Sequence, residues 1–317
     1  MKNKNLRNRQ LAQGIALSLL LGTCLYINPI VYAAVATNAL PVRNTSGTYE
    51  NVQSVNTSGS TMTITQAAGQ SNATIDWLSF NIGSGTTVNV KQYSSAATLL
   101  NRVATTGGMS EIYGKLNATG NIIILNPNGA LFDGNAVVNV GGLAVYAANS
   151  TDNSAAADNV NQSNISVQGN AKINAGIGYA LAQASALNIG SSYAVGISSN
   201  SNKIILLANG DVNLGGTAQL NAVDKTTVTG VSTIGEEGYE IGASSSTAYG
   251  QVIIRSDANS DDNGTVKVTG TPKIKTQSSN IYYNPVSTTA EKEGVSYNKK
   301  DYKNGVVNYS ALMNSSS

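Results

Sequence analysis

Neither imidazole chemistry nor a pair of thiols is available to this sequence, because its 317 residues include no His and one Cys. Without His, neither a Ser-His-Asp triad nor an imidazole metal site can be built. Asp257, Asn259, Asp261 and Asp262 invite a calcium interpretation. A calcium loop counted from Asp257 needs Gly at the sixth position and Glu at the twelfth, where this chain has Asp262 and Val268. The pattern therefore predicts a solvated polar turn and no metal site.

A second acidic group, formed by Glu236, Glu237 and Glu240 beside Gly238, is typical of a surface loop. The sequence contains no Gly-rich phosphate loop and no Cys-based site. Charged residues make up only 11% of the chain, well under the ~25% of an average soluble domain. We therefore expect a protein that is not an enzyme, with no catalytic residues and no cofactor.

The elements that carry these side chains are predicted to be short β-strands separated by Gly, Asn, Asp or Ser. Strand-like runs occur at residues 62–64, 88–90, 122–125, 137–140, 204–207, 252–254 and 266–268. Residues 180–187 are the best candidate for helical periodicity, and that segment is short. The sequence thus predicts an all-β protein.

Two strand arrangements fit this pattern, a sandwich of hairpin-linked strands and a solenoid with three strands in each coil. Between residues 116 and 145 the apolar segments repeat about every seven residues, which gives a coil of about 21 residues and at most about 13 coils. The run at 122–125 is apolar at every position, as in strands buried on both faces. Asn-rich turns tolerate the left-handed conformation and can hydrogen-bond to neighbouring coils. These features favour the solenoid.

The first 33 residues have the layout of a secretory signal peptide. Four basic residues precede an apolar run at 15–27, and Val31-Tyr32-Ala33 offers a cleavage site before Ala34. An N-terminal membrane anchor is the alternative, but the run is short for a membrane span. Cleavage removes four of the 19 basic residues and none of the 17 acidic ones, which leaves 15 against 17. Nucleic acid is therefore not an expected partner.

The remaining chain divides into a β-helical domain at 34–275, whose polar residues 34–70 are predicted to cap the exposed strand edges, and a Tyr-, Ser- and Asn-rich segment at 276–317. The last segment is interpreted as a tail or as the start of a following region. A short protein, a truncated reading frame and a fragment of a longer protein are all consistent with this ending.

Three sequence blocks carry a family resemblance. The first, at 61–90, contains Ile75-Asp76-Trp77 and Phe80-Asn81-Ile82; the second joins LLNRV at 99–103 to residues 110–132; the third is VVNVGGLAVYAAN at 137–149. Their order and spacing resemble the N-terminal secretion (TPS) domain of filamentous-haemagglutinin-type exoproteins of two-partner secretion systems. The Asn-Pro-Asn-Leu motif of some members is absent, which places the chain nearer the high-molecular-weight adhesin subgroup.

The resemblance implies a right-handed parallel β-helix with an N-terminal β cap. It also implies a secretion-targeting domain of a surface adhesin or related exoprotein. Such a domain is recognised in the periplasm by an outer-membrane β-barrel transporter with POTRA-type domains, and it folds outside the cell. The expected location is therefore secreted or cell-surface, with a host-cell or surface receptor as a further partner. Adhesin, haemolysin and contact-dependent toxin scaffold all stay open.

The motif Asn126-Pro127-Asn128-Gly129 is the candidate site for transporter recognition. Pro127 fixes φ at the second position of a tight turn, Asn126 must be extended because it precedes Pro, and Asn128 and Gly129 tolerate positive φ. A solenoid corner without a recognition role is an equally weighted interpretation. Structural roles are expected for the other family-motif residues: Asp76, Trp77, Phe80, Asn81, Asn101, Arg102, Val103, Gly141 and Gly142. Arg102 is expected to pair with Asp76 or Glu111.

The alternative function is a stand-alone extracellular β-helix that acts on carbohydrate or binds it. Enzymes with this fold need clustered carboxylates, often with Lys, Arg or Ca²⁺. A groove lined with Tyr and Asp would favour this alternative.

Overall fold

The computed structural model describes residues 35–147 and 163–175 in full. Beyond residue 175 it describes Asp211 and the strands between Ala180 and Tyr297, with the side chains of Leu206, Ala208 and residues 211–213. The signal peptide predicted at 1–33 lies outside the described residues, as do most of the tail at 276–317 and the acidic residues Glu236, Glu237, Asp257, Asp261 and Asp262.

The described residues form strands and no helix. The strands are β1 (Val42–Arg43), β2 (Tyr49–Glu50), β3 (Val52–Ser58), β4 (Thr61–Gln66), β5 (Asn72–Ser79), β6 (Thr87–Lys91), β7 (Thr98–Val103), β8 (Ser110–Ile112), β9 (Lys115–Ala118), β10 (Asn121–Leu125), β11 (Ala130–Phe132), β12 (Val137–Val140), β13 (Gly142–Tyr146), β14 (Ile165–Val167), β15 (Lys172–Ala175), β16 (Ala180–Ala184), β17 (Leu187–Ile189), β18 (Gly196–Ser199), β19 (Lys203–Ala208), β20 (Val212–Leu214), β21 (Gln219–Asn221), β22 (Ser232–Ile234), β23 (Tyr239–Gly242), β24 (Gln251–Arg255), β25 (Val266–Val268), β26 (Lys273–Lys275), β27 (Ser278–Tyr282) and β28 (Ser296–Tyr297). All seven predicted strand runs lie within these strands. The segment 180–187, weighed as a helix, lies in β16 and the start of β17.

Three parallel sheets wind around one core. The chain visits them in a fixed order, as in β7 of the first sheet, β8 of the second and β9 of the third, and β10 then returns to the first sheet beside β7. Each strand pairs with its equivalents one coil before and one coil after. This confirms the predicted all-β parallel β-helix, because a sandwich would join its strands through antiparallel hairpins.

The coils vary in length. Asn121 pairs with Gly142, 21 residues further on, whereas Leu143 pairs with Ala180 and Ile204 pairs with Val252. The second of these longer coils contains the antiparallel pair β22–β23, inserted between β21 and β24. The upper limit of about 13 coils assumed about 21 residues in each coil, and these two coils are longer. The first sheet continues through β27 and β28, within the stretch predicted as a tail.

The core is formed by alternate side chains of each strand, and buried and half-buried positions alternate along β4 and along the first six residues of β5. In β10 the alternation disappears. Ile122 and Ile124 belong to the core, and Ile123 and Leu125 on the opposite face are also fully buried. The apolar run at 122–125 therefore has the two-sided burial that its composition predicts.

An N-terminal cap covers the first coil. Strands β1 and β2 pair antiparallel with β5, and β3 pairs antiparallel with β4, so these pairings lie inside residues 34–79 and the parallel winding follows them. Before β1, the backbone carbonyls of Thr37 and Ala39 accept hydrogen bonds from the N–H groups of Gly85 and Gly83 at 2.8 and 2.9 Å. A Cβ atom on Gly83 would lie 2.3 Å from the Ala36 carbonyl oxygen, so this close approach requires glycine.

Within the described part of the chain, we find no helix with the length and hydropathy needed to span a membrane.

Candidate functional site

Two family-motif residues, Asp76 of the first block and Arg102 of the second, belong to a polar cluster between cap and coil. Asp76 of β5 lies opposite Arg102 of β7, and the Arg102 Nε donates to Asp76 Oδ1 at 2.6 Å while Nη2 donates to Oδ2 at 3.0 Å. From the cap, the Thr48 N–H donates to Asp76 Oδ2 at 2.8 Å, and the Thr48 hydroxyl accepts from Arg102 Nη2 at 2.5 Å. A Cβ on Gly47 would lie 2.5 Å from the Asp76 Cβ, so glycine is needed for this approach. The expected pairing of Arg102 is thus made with Asp76.

The electrostatics of the cluster favour the ionised carboxylate. Partial burial on its own raises the pKa of Asp76, but the hydrogen bonds from Arg102 and Thr48 and the positive charge of Arg102 outweigh it. The net result is a pKa below the ordinary value of 3.8. Both side chains keep about a fifth of their surface in contact with water, at 24% for Arg102 and 20% for Asp76. The cluster therefore joins the cap loop to two coils.

A second cluster fills the core beneath the first. Trp77 is fully buried, and its Nε1–H donates to Asn101 Oδ1 at 3.0 Å. The Phe80 ring packs edge-on against Trp77 with centroids 5.6 Å apart. Asn101, only 1% exposed, also donates from Nδ2 to the backbone oxygen of Ile123 in the next coil, at 3.2 Å. These residues form a packed core whose one indole donor is satisfied, as expected from the sequence.

Two further motif residues are structural. Val103 is buried at 1% exposure in the same core. Asn81 accepts a hydrogen bond at Oδ1 from the Glu111 N–H at 2.9 Å, which joins the first coil to β8. The neighbouring Ile82 forms an isolated parallel bridge with Ile112, so it occupies the position of a second-sheet strand in the first coil.

The motif Asn126-Pro127-Asn128-Gly129 forms a coil corner. The Gly129 N–H donates to the Asn126 carbonyl at 3.0 Å, which closes a β-turn, and the Asn128 N–H donates to Asn126 Oδ1 at 2.9 Å. Gly129 has φ +86°, and Asn128 does not have a positive φ. Of the two residues expected to tolerate a positive φ at this corner, Gly129 has it and Asn128 does not.

The corner is hydrogen-bonded to one neighbouring coil and packs closely against the other. Asn126 is fully buried, and its Nδ2 donates to the Gly108 carbonyl at 3.0 Å and to Ser110 Oγ at 2.9 Å. On the opposite side, a Cβ on Gly129 would lie 2.1 Å from the Asn164 carbonyl oxygen of the next coil. Pro127 is buried and Asn128 is half-buried. The folded corner therefore presents little of the motif to a partner.

In the last motif pair, Gly141-Gly142, the first glycine contacts Gly120 of the preceding coil. The Gly141 N–H donates to the Gly120 carbonyl at 2.7 Å, and a Cβ on Gly141 would lie 2.9 Å from that carbonyl. Gly142 is buried and begins β13 opposite Asn121. These glycines allow successive coils to turn at van der Waals distance.

The structure also contains a row of hydrogen-bonded asparagine side chains that the sequence analysis did not predict. Asn89, Asn117, Asn139 and Asn174 occupy equivalent positions in β6, β9, β12 and β15. Each Nδ2 donates to the Oδ1 of the preceding Asn, at 3.0, 3.3 and 2.9 Å along the row. The available signal was an Asn between two apolar residues in each strand, as in Val88-Asn89-Val90 and Val138-Asn139-Val140. The row lies on strands of the third sheet, whereas the sequence interpretation assigned Asn to turns.

The motif residues form three structural clusters, at the cap, in the core and at a corner, and they do not converge on one pocket. In residues 35–147, 163–175 and the strands described after them, no group of three or more Cys, Asp or Glu residues is placed to hold a metal ion. In this arrangement the named side chains stabilise the coil, and their donors and acceptors are directed at one another.

Comparison with known proteins gives three kinds of match. The family described as the TPS secretion domain matches residues 42–298. A heme/hemopexin-binding protein of Haemophilus influenzae strain Rd is 43% identical over 89 residues, which is 28% of this chain and 10% of that protein. A second heme/hemopexin-binding protein of Haemophilus influenzae is 42% identical over 87 residues, covering 27% of this chain and 9% of that protein.

The chain thus spans about a tenth of the length of the curated relatives it matches. Among solved structures, the HMW1 secretion domain of Haemophilus influenzae superimposes with a TM-score of 0.44 at 16% identity, covering 79% of this chain and 80% of that chain.

Proposed function

Since the chain belongs to the TPS secretion domain family, we propose that its first 33 residues direct it to the periplasm and that POTRA-type domains of its transporter then bind it. The domain targets an exoprotein for two-partner secretion. TPS domains are recognised by a cognate outer-membrane transporter, and members of the family are secreted through the periplasm. The observation that carries the proposal is the family match over residues 42–298.

The transporter binds an extended segment of the unfolded chain by strand addition. In the folded coil each of β7 and β10 is already hydrogen-bonded to a strand on both sides, so neither can join another sheet. Before folding, the same segments present unpaired N–H and C=O groups to a sheet edge. The buried state of Asn126 and Pro127 supports the same order of events: their motif meets the transporter first and becomes a corner afterwards.

Folding then proceeds outside the cell, coil by coil. Each new coil adds one strand to each of three sheets and buries its apolar residues on the coil before it. A folded coil resists movement back through the transporter, so folding biases transport outward. The mature protein is expected in the medium or at the cell surface, where the longer exoprotein meets its receptor.

Co-expression tests the proposal. The full chain is produced with the cognate transporter, without it, and with a transporter that lacks its periplasmic domains, and the medium is probed for the chain. We expect export only with the intact transporter, and an exported chain that begins at Ala34 by N-terminal sequencing. Equal amounts in the medium without a transporter would overturn the proposal.

The alternative, a stand-alone β-helix that acts on or binds carbohydrate, is not favoured, since the family match covers most of the chain and describes a secretion domain. Sugar release from a panel of polysaccharides, abolished by a single Asp substitution, would reverse this conclusion.

A further inference from the structure

The outer face of the third sheet concentrates positive charge. The Lys residues of ranges 35–147 and 163–175 are Lys91, Lys115 and Lys172, and all three are exposed on this face. Along β4, β6, β9, β12 and β15 alternate positions are directed outward, and they hold Thr, Asn, Lys and one Val, with no Asp or Glu. This lysine face, defined by the outward positions of these five strands, is therefore basic.

The three lysines have no acidic partner among the described residues. The one ion pair between side chains there joins Arg102 to Asp76. Within ranges 35–147 and 163–175, Glu50 and Asp76 belong to strands of the first sheet. Glu111 belongs to the second sheet, and Asp133 follows β11 of that sheet. The charge of the lysine face is therefore available to an anionic partner.

The lysines flank the asparagine row on both sides. Lys115 is in register with Val137, and Val137 with Lys172, so the two lysines lie in one column, two strands apart. Two strand spacings amount to about 10 Å. Lys91 follows Asn89 by two residues on β6 and lies on the other side of the row. A line of amides with positive charges beside it thus runs from coil to coil.

The amides inside the row keep hydrogen-bonding groups for a ligand. An Asn amide has two N–H donors and an oxygen with two lone pairs. Asn117 and Asn139 each donate once and accept once within the row, which leaves each with one N–H and one lone pair at the surface. A hydroxyl group both donates and accepts, so it matches these amides, whereas a phosphate or sulfate oxygen only accepts.

We propose that the lysine face binds a linear polysaccharide in which every second sugar is a uronic acid. Hydroxyls of the sugars pair with the asparagine row, and the carboxylates pair with the lysines. One sugar of an extended chain advances by nearly the spacing of one strand, so carboxylates on alternate sugars reach Lys115 and Lys172 in turn. The surface gives the targeting domain a binding role, with no catalysis. It exists only after folding and so, given the proposed function, outside the cell.

Titration calorimetry tests the proposal with the purified, folded full chain. The ligand is a hyaluronate oligosaccharide, which has a carboxylate on every second sugar, and the same oligosaccharide with its carboxylates reduced to alcohols is the neutral control. The variants are Lys115→Gln, Lys172→Gln and their combination, together with the double Lys→Arg variant. Thr106→Glu lowers the net charge by the same one unit at an exposed position between β7 and β8 and is the matched control.

We expect each single Lys→Gln substitution to raise Kd for hyaluronate about two- to fivefold, and the pair about four- to twentyfold, as for exposed ion pairs. Added salt should weaken binding, because the charges are exposed. The double Lys→Arg variant and Thr106→Glu should bind as wild type does. The neutral oligosaccharide should bind wild type and the double Lys→Gln variant equally, because it has no charge for the lysines to attract.

No binding of hyaluronate, or equal Kd values for wild type and the double Lys→Gln variant, would overturn the inference. Tighter binding to single-stranded DNA or to phosphatidylglycerol vesicles would overturn it as well, because charge alone would then explain the affinity. Circular dichroism shows that each variant is folded. The binding measurement needs no transporter, so its failure leaves the proposed function intact, whereas export without a transporter refutes that function and leaves the lysine face untouched.

Discussion

Asp76 and Arg102 lie opposite each other on β5 and β7, and their side chains form a two-point ion pair that also holds Thr48 of the cap. The two residues are 26 positions apart in sequence, one coil of the helix. The ion pair requires the first two coils to be in register, and its contact with Thr48 also requires the cap loop to be in place. Loss of these contacts therefore indicates disruption of the cap or of the first two coils.

Asp76→Asn should lower the free energy of unfolding at neutral pH by about 1.5–3 kcal/mol, the range for hydrogen bonds to charged groups. The Asp76 pKa is depressed in the folded state, so its contribution is present above the unfolded value and is lost as pH falls through the folded one. The deficit of the variant should therefore shrink below about pH 4. Urea denaturation across pH measures it, with Glu50→Gln as the exposed control. A deficit that is constant down to acidic pH would contradict the prediction.

Asn101→Ala should lower the free energy of unfolding by about 1–3 kcal/mol, because it leaves the buried indole N–H of Trp77 without its acceptor. Trp77 is the only Trp of the chain, so its fluorescence reports the change directly. In a Trp77→Phe background no indole N–H remains, and Asn101→Ala should then cost less. Thermal unfolding followed by circular dichroism gives both values. Equal costs in the two backgrounds would show that the indole hydrogen bond contributes nothing.

Gly129→Ala and Gly59→Ala form a matched pair. Both glycines have positive φ, at +86° and +57°, so each substitution should cost about 1 kcal/mol in backbone strain. A Cβ at residue 59 meets nothing within 4 Å, whereas at residue 129 it lies 2.1 Å from the Asn164 carbonyl. We expect Gly129→Ala to lower the free energy of unfolding, measured by chemical denaturation, at least about twice as much as Gly59→Ala does. Similar losses at the two positions would exclude a tight contact at the corner.

Asn117→Ala removes the middle of the asparagine row and breaks two amide hydrogen bonds, to Asn89 and from Asn139. We expect the free energy of unfolding to fall by about 1–3 kcal/mol, since each of the two bonds is worth about 0.5–1.5 kcal/mol. Asn56→Ala is the control, since Asn56 is exposed on β3 and has no side-chain hydrogen bond in the described residues. Heat-induced unfolding of the two variants makes the comparison. Equal melting temperatures would mean that water replaces the row without cost.

Much of the fold could be predicted because strand formation here is local. The run at 122–125 and the alternation in 137–140 identify strands without knowledge of their partners, and the step of about seven residues suggests three strands in a coil. The burial of Trp77 and the pairing of Arg102 with Asp76 or Glu111 also followed from residue type. The choice between the two acids depended on register, and register follows from loop lengths that carry no pattern.

In the candidate site, too, local features could be predicted from the sequence and contacts between distant residues could not. The sequence identified the turn at 126–129, since Pro restricts the backbone locally and Gly tolerates a positive φ. It left open which of Asn128 and Gly129 has that φ, and the structure shows that Gly129 does. Gly129 and Asn164 are 35 positions apart, whereas the coil that pairs Asn121 with Gly142 has 21 residues, so no fixed spacing would place them together. The Glu111 contact with Val35 joins positions 76 residues apart and had no local signal at all.

The amino-acid sequence by itself determined the strands, the β-helix and the family, because alternation, turn residues and motif order are properties of neighbouring residues. Only the tertiary structure decided which coil each strand follows, which carboxylate Arg102 meets and that Val35 lies beside Glu111. Those contacts depend on the summed lengths of intervening loops, and a difference of one residue would exchange the buried and exposed faces of a strand.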